Sequence, residues 1–95
     1  MILFIFGLAS CSGEEIRVIV VEGSQFMVVG EEQTLKATIR PISFDQDVIW
    51  ESLDNKIASI DENGLVKALS VGKVEIIVTA VVDETRWKKF EITIA

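Results

Sequence analysis

From Ile16 onward, apolar and polar side chains trade places at every second residue. The clearest case is Thr34-Leu35-Lys36-Ala37-Thr38-Ile39-Arg40, where Leu35, Ala37 and Ile39 fall on one side and the polar four on the other. A period of two marks a strand with one face in a core and the other in water. Pro41 has no N–H to give to a ladder, so this strand is expected to stop there. The same alternation places Val74, Ile76, Val78 and Ala80 on one face of the longest run, residues 73–82. It groups Val48 with Trp50 and Ser52, and Phe90 with Ile92 and Ile94. Further short strands are expected over residues 16–22, 25–29, 57–60 and 65–69, each bounded by glycine or acidic turn residues. Asn63-Gly64 predicts a tight hairpin of type I′, which needs positive φ at both positions. No window sustains a helical period, and short strands with turns about every eight to twelve residues imply a sandwich or barrel. Leu35, Trp50, Ile76 and Val78 are the expected centre of its core.

The first eleven residues, Met-Ile-Leu-Phe-Ile-Phe-Gly-Leu-Ala-Ser-Cys, break this rule. As a strand they would turn Ile2, Phe4 and Phe6 one way and Leu3 and Ile5 the other, so both faces would be apolar. Such a strand must be covered on both sides, which is unusual in antiparallel sheets. As a leader they supply an apolar run followed by small residues, the layout of an export signal. Leu8-Ala9-Ser10-Cys11 resembles the bacterial lipobox. That resemblance implies a signal peptide over residues 1–10, a lipidated Cys11 with a polar tether over residues 11–15, and a folded domain over residues 16–95. It also implies a membrane anchor through Cys11 and a place in the cell envelope, at the outer membrane or cell surface. The alternative for Cys11 is a small buried hydrophobe.

The landmarks of the remaining chain occur in a telling order. They are Gly30, residues 35–41, Val48-Ile49-Trp50-Glu51-Ser52, Ile57-Ala58-Ser59-Ile60, Asn63-Gly64-Leu65-Val66-Lys67-Ala68, and Gly72 before the strand from Val74 to Ala80. On these residues the chain resembles a bacterial immunoglobulin-like domain of group 2. The resemblance implies an all-β, immunoglobulin-like antiparallel β-sandwich of about seven strands, with Trp50 filling the space between sheets. Such domains are often found in surface adhesins, usually in tandem copies. Whether this single copy is a small lipoprotein or a fragment of a longer one is left open.

Composition narrows the function. The chain has 95 residues, one domain's worth, and 49% of them are apolar. With one Cys there is no intrachain disulfide, and with no His and no Cys cluster a structural zinc is not expected. The core must hold the fold by itself. The formal charge of −6 argues against nucleic acid or anionic lipid as partners, since both are bound through basic patches. No cofactor is implied, and a monomer is expected.

Candidate chemistry is sparse. The commonest general base is absent, and neither a nucleophile elbow nor a partnered base is visible. The carboxylate pairs Glu14-Glu15, Glu31-Glu32, Asp45 with Asp47, Asp61-Glu62 and Asp83-Glu84 sit at expected turns, where acids are solvated. Asp45, Asp47 and the group Asp61 to Asn63 carry oxygen ligands suited to calcium, but no EF-hand spacing is met and no metal site is assigned. The best recognition candidate is Thr85-Arg86-Trp87-Lys88-Lys89, the densest basic patch in the chain. Counting back from Phe90, Trp87 should point away from the core unless a bulge intervenes. A bulge that turns Trp87 inward, or packing against lysine stems, is the preferred reading. The competing one makes Trp87, Arg86 and Lys88 contacts for a surface protein or glycan.

A non-enzymatic, lipid-anchored module acting in adhesion, as a spacer or as an accessory binding domain follows from these features. The alternatives are a carbohydrate-binding module of a surface glycan-utilisation system, or the N-terminal accessory domain of a larger hydrolase.

Overall fold

A computed structural model describes residues 15–95; Cys11 and residues 1–10, and so the leader and its lipobox, lie outside the described residues. Among the described residues nine strand segments follow in chain order: β1 (Val18–Glu22), β2 (Phe26–Met27), β3 (Glu32–Thr34), β4 (Lys36–Arg40), β5 (Val48–Ser52), β6 (Ala58–Ile60), β7 (Leu65–Ala68), β8 (Gly72–Ala80) and β9 (Trp87–Ile94). The run expected as one strand up to Pro41 is divided at Leu35. Its first part, β3, pairs with β7, and its second part, β4, pairs with β1. Leu35 joins them, its N–H donating to the Gly64 carbonyl at 2.9 Å. The layer therefore runs β1, then β4 and β3 as one ribbon, then β7, then β6. The second layer is β2-β9-β8-β5.

Counting β3 with β4, and β1 with β2 as the first strand that changes sheets, leaves seven strands in two layers. That is the immunoglobulin arrangement of four strands facing three, with the tail of the first strand crossing to the second sheet. One pair departs from the antiparallel expectation: β2 lies parallel to β9, with Phe26 opposite Thr93 and Met27 opposite Ile94. The other pairs are antiparallel.

Alternation then decides what is buried. Val74, Ile76, Val78 and Ala80 of β8 face Leu35 and Ile39 across the sandwich, and all six are essentially inaccessible to water. Phe90, Ile92 and Ile94 extend the inner face of β9. The core falls into two clusters, one around Ile76 and Ile92 and one around Ile39 and Val78. Trp50 and Val21 pack against both. Trp50 is thus a bridge between clusters, and it is half-buried. In the cluster around Ile39, Ala37 of β4 and Val78 of β8 supply apolar contacts from the two sheets.

The β6–β7 hairpin forms where Asn63-Gly64 placed it, but with a different turn. Gly64 donates its N–H to the Asp61 carbonyl at 3.0 Å, which puts Glu62 and Asn63 at the centre of the turn. Asp61 pairs with Leu65 (3.1 Å), and Gly64 takes φ +84°. A turn followed by a left-handed glycine is the three-residue hairpin with a G1 bulge. The Asp61 carboxylate stabilises it by accepting from the N–H groups of Asn63 and Leu65.

Candidate functional site

The β8–β9 turn and the start of β1 share one pole of the sandwich. There β1 and the opening residues of β9, whose partner β2 lies at the far end of that strand, belong to different sheets and leave a cleft of about 280 Å³, lined by residues 16–19 and 85–88. Its apolar wall includes Ile16 and Ile19, both buried. Its polar groups are Arg17, Thr85, Arg86 and Lys88, with Trp87 at the rim.

Trp87 opens β9 opposite Thr79, and the ladder continues without interruption to Phe90 opposite Ile76. No bulge intervenes. Trp87 therefore stands on the outer face, 55% exposed, which overturns the inward-turned form of the preferred reading and leaves its other form, packing against lysine stems, untouched. Parity decides the matter, since Phe90 is buried inward three residues later. Lys88 shares the inward parity of Phe90 but is exposed, and it lines the opening between the sheets. Arg17 reaches the same opening from β1's lead-in, where its backbone N–H donates to Arg40 (2.9 Å). Sequence reading missed Arg17, because nothing local ties it to a segment some seventy residues later.

The electrostatics are uneven. Arg86 lies 3.7 Å from the Glu15 carboxylate and 4.0 Å from Asp83. Arg17 and Lys88 have no carboxylate within salt-bridge distance among the described residues. Asp83 is held below the ordinary carboxylate range. The main cause is the Thr85 hydroxyl, which donates to it at 2.6 Å; the Thr85 N–H (3.1 Å) adds to this and Arg86 contributes less. Asp83 is thereby a turn-fixing anion.

Of the further depressions on the sandwich, two hold residues singled out in the sequence. On the outer face of β5, β8 and β9, Leu53, Ile77 and Trp87 are set among Thr79, Glu75 and Lys89, the last two paired at 3.6 Å. At the end near Trp50, Asp47 and residues 61–63 line a hollow with Val48, Ile49 and Ile60. This hollow gathers Asp47 and the group Asp61 to Asn63 but not Asp45, and Asp61 and Asp45 each commit one carboxylate oxygen to a turn. Asp61 caps the hairpin, and Asp45 accepts from the Asp47 N–H at 3.1 Å. Among the described residues no group of three His, Cys, Asp or Glu is arranged to hold a metal. Among the same residues no helix is long and apolar enough to cross a membrane. The cleft can hold an anion and offer a flat ring, and it carries no paired nucleophile and base.

This two-layer arrangement defines an immunoglobulin-like module. Residues 17–90 match the family described as bacterial Ig-like domain (group 2), and the chain belongs to that family of non-catalytic modules. It is 39% identical over 75 residues to a 3-O-alpha-D-galactosyl-alpha-L-arabinofuranosidase of Bifidobacterium longum subsp. longum, covering 78% of this chain and 7% of that protein. It is 46% identical over 54 residues to an uncharacterised protein of Clostridium acetobutylicum, covering 56% of this chain and 14% of the other. The chain thus spans a small part of the length of these relatives. Among solved structures, domains 4 and 5 of the S-layer protein SbsC match with a TM-score of 0.70 at 17% identity, over 85% of this chain and 53% of that one. At that identity the likeness concerns the fold.

Proposed function

We propose that the chain is a non-enzymatic Ig-like module of the bacterial cell envelope, anchored by lipid on Cys11 and acting as an adhesion, spacer or accessory binding domain. The observation that carries this reading is that most of the chain corresponds to a small stretch of a much larger glycosidase. A module that recurs as 7% of a hydrolase accompanies the chemistry without performing it. The S-layer neighbour favours a cell-surface or extracellular setting. Support for the anchor is the resemblance of Leu8-Ala9-Ser10-Cys11 to a lipobox. More than one acyl chain on the cysteine would make membrane attachment stable, at about 0.8 kcal/mol per buried CH₂.

The test is the mass and fractionation of the protein in its native host. Mature protein beginning at Cys11 with added acyl mass, and release from membranes in Cys11→Ala, are expected. Unprocessed protein, or unchanged fractionation of the variant, would refute the anchor.

A second reading is favoured by the exposed Trp87 and by the arabinofuranosidase relative: a carbohydrate-binding module of a surface glycan-utilisation system or of a larger hydrolase.

A further inference from the structure

We infer that the cleft between β1 and β9 is a binding site for an acidic glycan, with a sugar ring on Trp87 and a sugar carboxylate held by Arg17 and Lys88. The inference rests on the carbohydrate-binding reading and deepens it by naming the ligand's charge and seat.

Three observations carry it. The chain has only nine Lys and Arg against fifteen Asp and Glu, yet Arg17, Arg86 and Lys88 line this one cleft. Concentrating cations in an otherwise acidic molecule focuses the field at the mouth and attracts anions there. Secondly, Arg86 already has a carboxylate beside it, that of Glu15 at 3.7 Å, so the mouth accommodates a carboxylate next to a guanidinium. Arg17 and Lys88, without such a partner among the described residues, remain for a second one. Thirdly, Trp87 is 55% exposed at the rim, and an indole with one face in solvent offers an apolar surface beside polar groups. Thr85 adds a hydroxyl to the lining.

Charge density selects among anions. Three cations in a −6 chain do not make the continuous basic track that a phosphate backbone requires. The buried floor of Ile16 and Ile19 keeps the cleft preformed, which lowers the ordering cost of binding.

The test uses the 95-residue chain and isothermal titration with oligogalacturonate. Neutral galactan oligosaccharides serve as the uncharged counterpart and polyglutamate as a sugar-free polyanion. Binding to oligogalacturonate is expected, weakening as salt rises. Trp87→Ala should weaken it about tenfold, and Arg17→Ala about threefold to tenfold. Glu15→Gln should strengthen it about twofold, because a competing internal carboxylate is lost. Unfolding midpoints of the variants, read alongside, report that each remains folded. Equal affinity for polyglutamate, or indifference to Trp87→Ala in a folded variant, would overturn the inference. Equal affinity for neutral galactan would overturn the acidic-glycan assignment and leave the carbohydrate reading standing. No binding to any of the three would remove both.

Discussion

Replacing Gly64 with Ala tests how tightly the β6–β7 hairpin is built onto the sandwich. Two costs add. At φ +84° an L-residue is strained by ~1–2 kcal/mol relative to glycine. The new Cβ would also lie 2.7 Å from the Leu35 carbonyl oxygen and 3.2 Å from the Trp50 indole. That oxygen cannot retreat freely. Leu35 N–H donates to Gly64 and Gly64 N–H donates to Asp61, so the two backbones are locked together. Overpacking of this kind costs ~1–3 kcal/mol. The sum, ~2–5 kcal/mol, is a large part of what a domain of this size possesses, since stability runs at ~0.05–0.15 kcal/mol per residue. Gly30→Ala supplies the control: φ there is +95° but nothing lies within 4 Å of the added Cβ, so only the backbone cost applies. Urea unfolding at 25 °C, followed by tryptophan fluorescence, measures both. Gly64→Ala should lose distinctly more than Gly30→Ala. Equal losses, or a Gly64→Ala loss below ~0.5 kcal/mol, would refute the account of the turn and its contact with Trp50.

Three other outcomes follow from the same packing. Trp50→Ala should destabilise by ~2–4 kcal/mol, somewhat less than a wholly buried aromatic, because the ring bridges two clusters while half-buried; an equilibrium change under ~1 kcal/mol in urea would contradict the bridging role. Ser52 is buried and its hydroxyl donates to the Ala58 carbonyl at 2.7 Å, so Ser52→Ala should cost ~1–3 kcal/mol by stranding that acceptor, and a neutral result would disprove it. Asp83 is depressed in the folded state, so its contribution to stability is present above the carboxyl's unfolded value and is lost as pH falls through the folded one. Thr85→Val removes the hydroxyl and should move the Asp83 carboxyl upward toward the ordinary value; an unmoved carbon-detected NMR titration would show that the hydroxyl is not the cause.

What was legible in the chain is what repeats locally. Leu35, Ala37 and Ile39, or Val74 through Ala80, declare their inner face because pleating alone fixes it. Trp87's outward direction was legible by the same parity, and only the allowance for a bulge obscured it. Pairings between distant segments were not legible. No local feature of Gln25-Phe26-Met27 announces a parallel partner in β9, where the Gln25 carbonyl accepts from Thr93 at 2.8 Å. Nor does any announce that the Gln46 amide will serve the free edge of β4, accepting from the Ile39 N–H at 2.7 Å and donating to the Ile39 carbonyl at 3.0 Å. The turn at Asp61–Gly64 was misread because Asn-Gly fits a two-residue turn equally well, and only the Gly64-to-Asp61 bond distinguishes them. Arg17 belongs with Arg86 and Lys88 through closure of the sandwich, which no window of neighbours contains.

The parallel seam between β2 and β9 gives the sandwich a mechanical grain. Glu15 enters at the pole of the β8–β9 turn, and Ala95 sits at the other end of a β9 strand about 26 Å long. Tension along that axis pulls the two strands past each other. The bonds from Thr93 to Gln25, Ala95 to Met27 and Val29 to Ala95 then bear the load at once, as a clasp resists sliding, instead of opening singly like a zip.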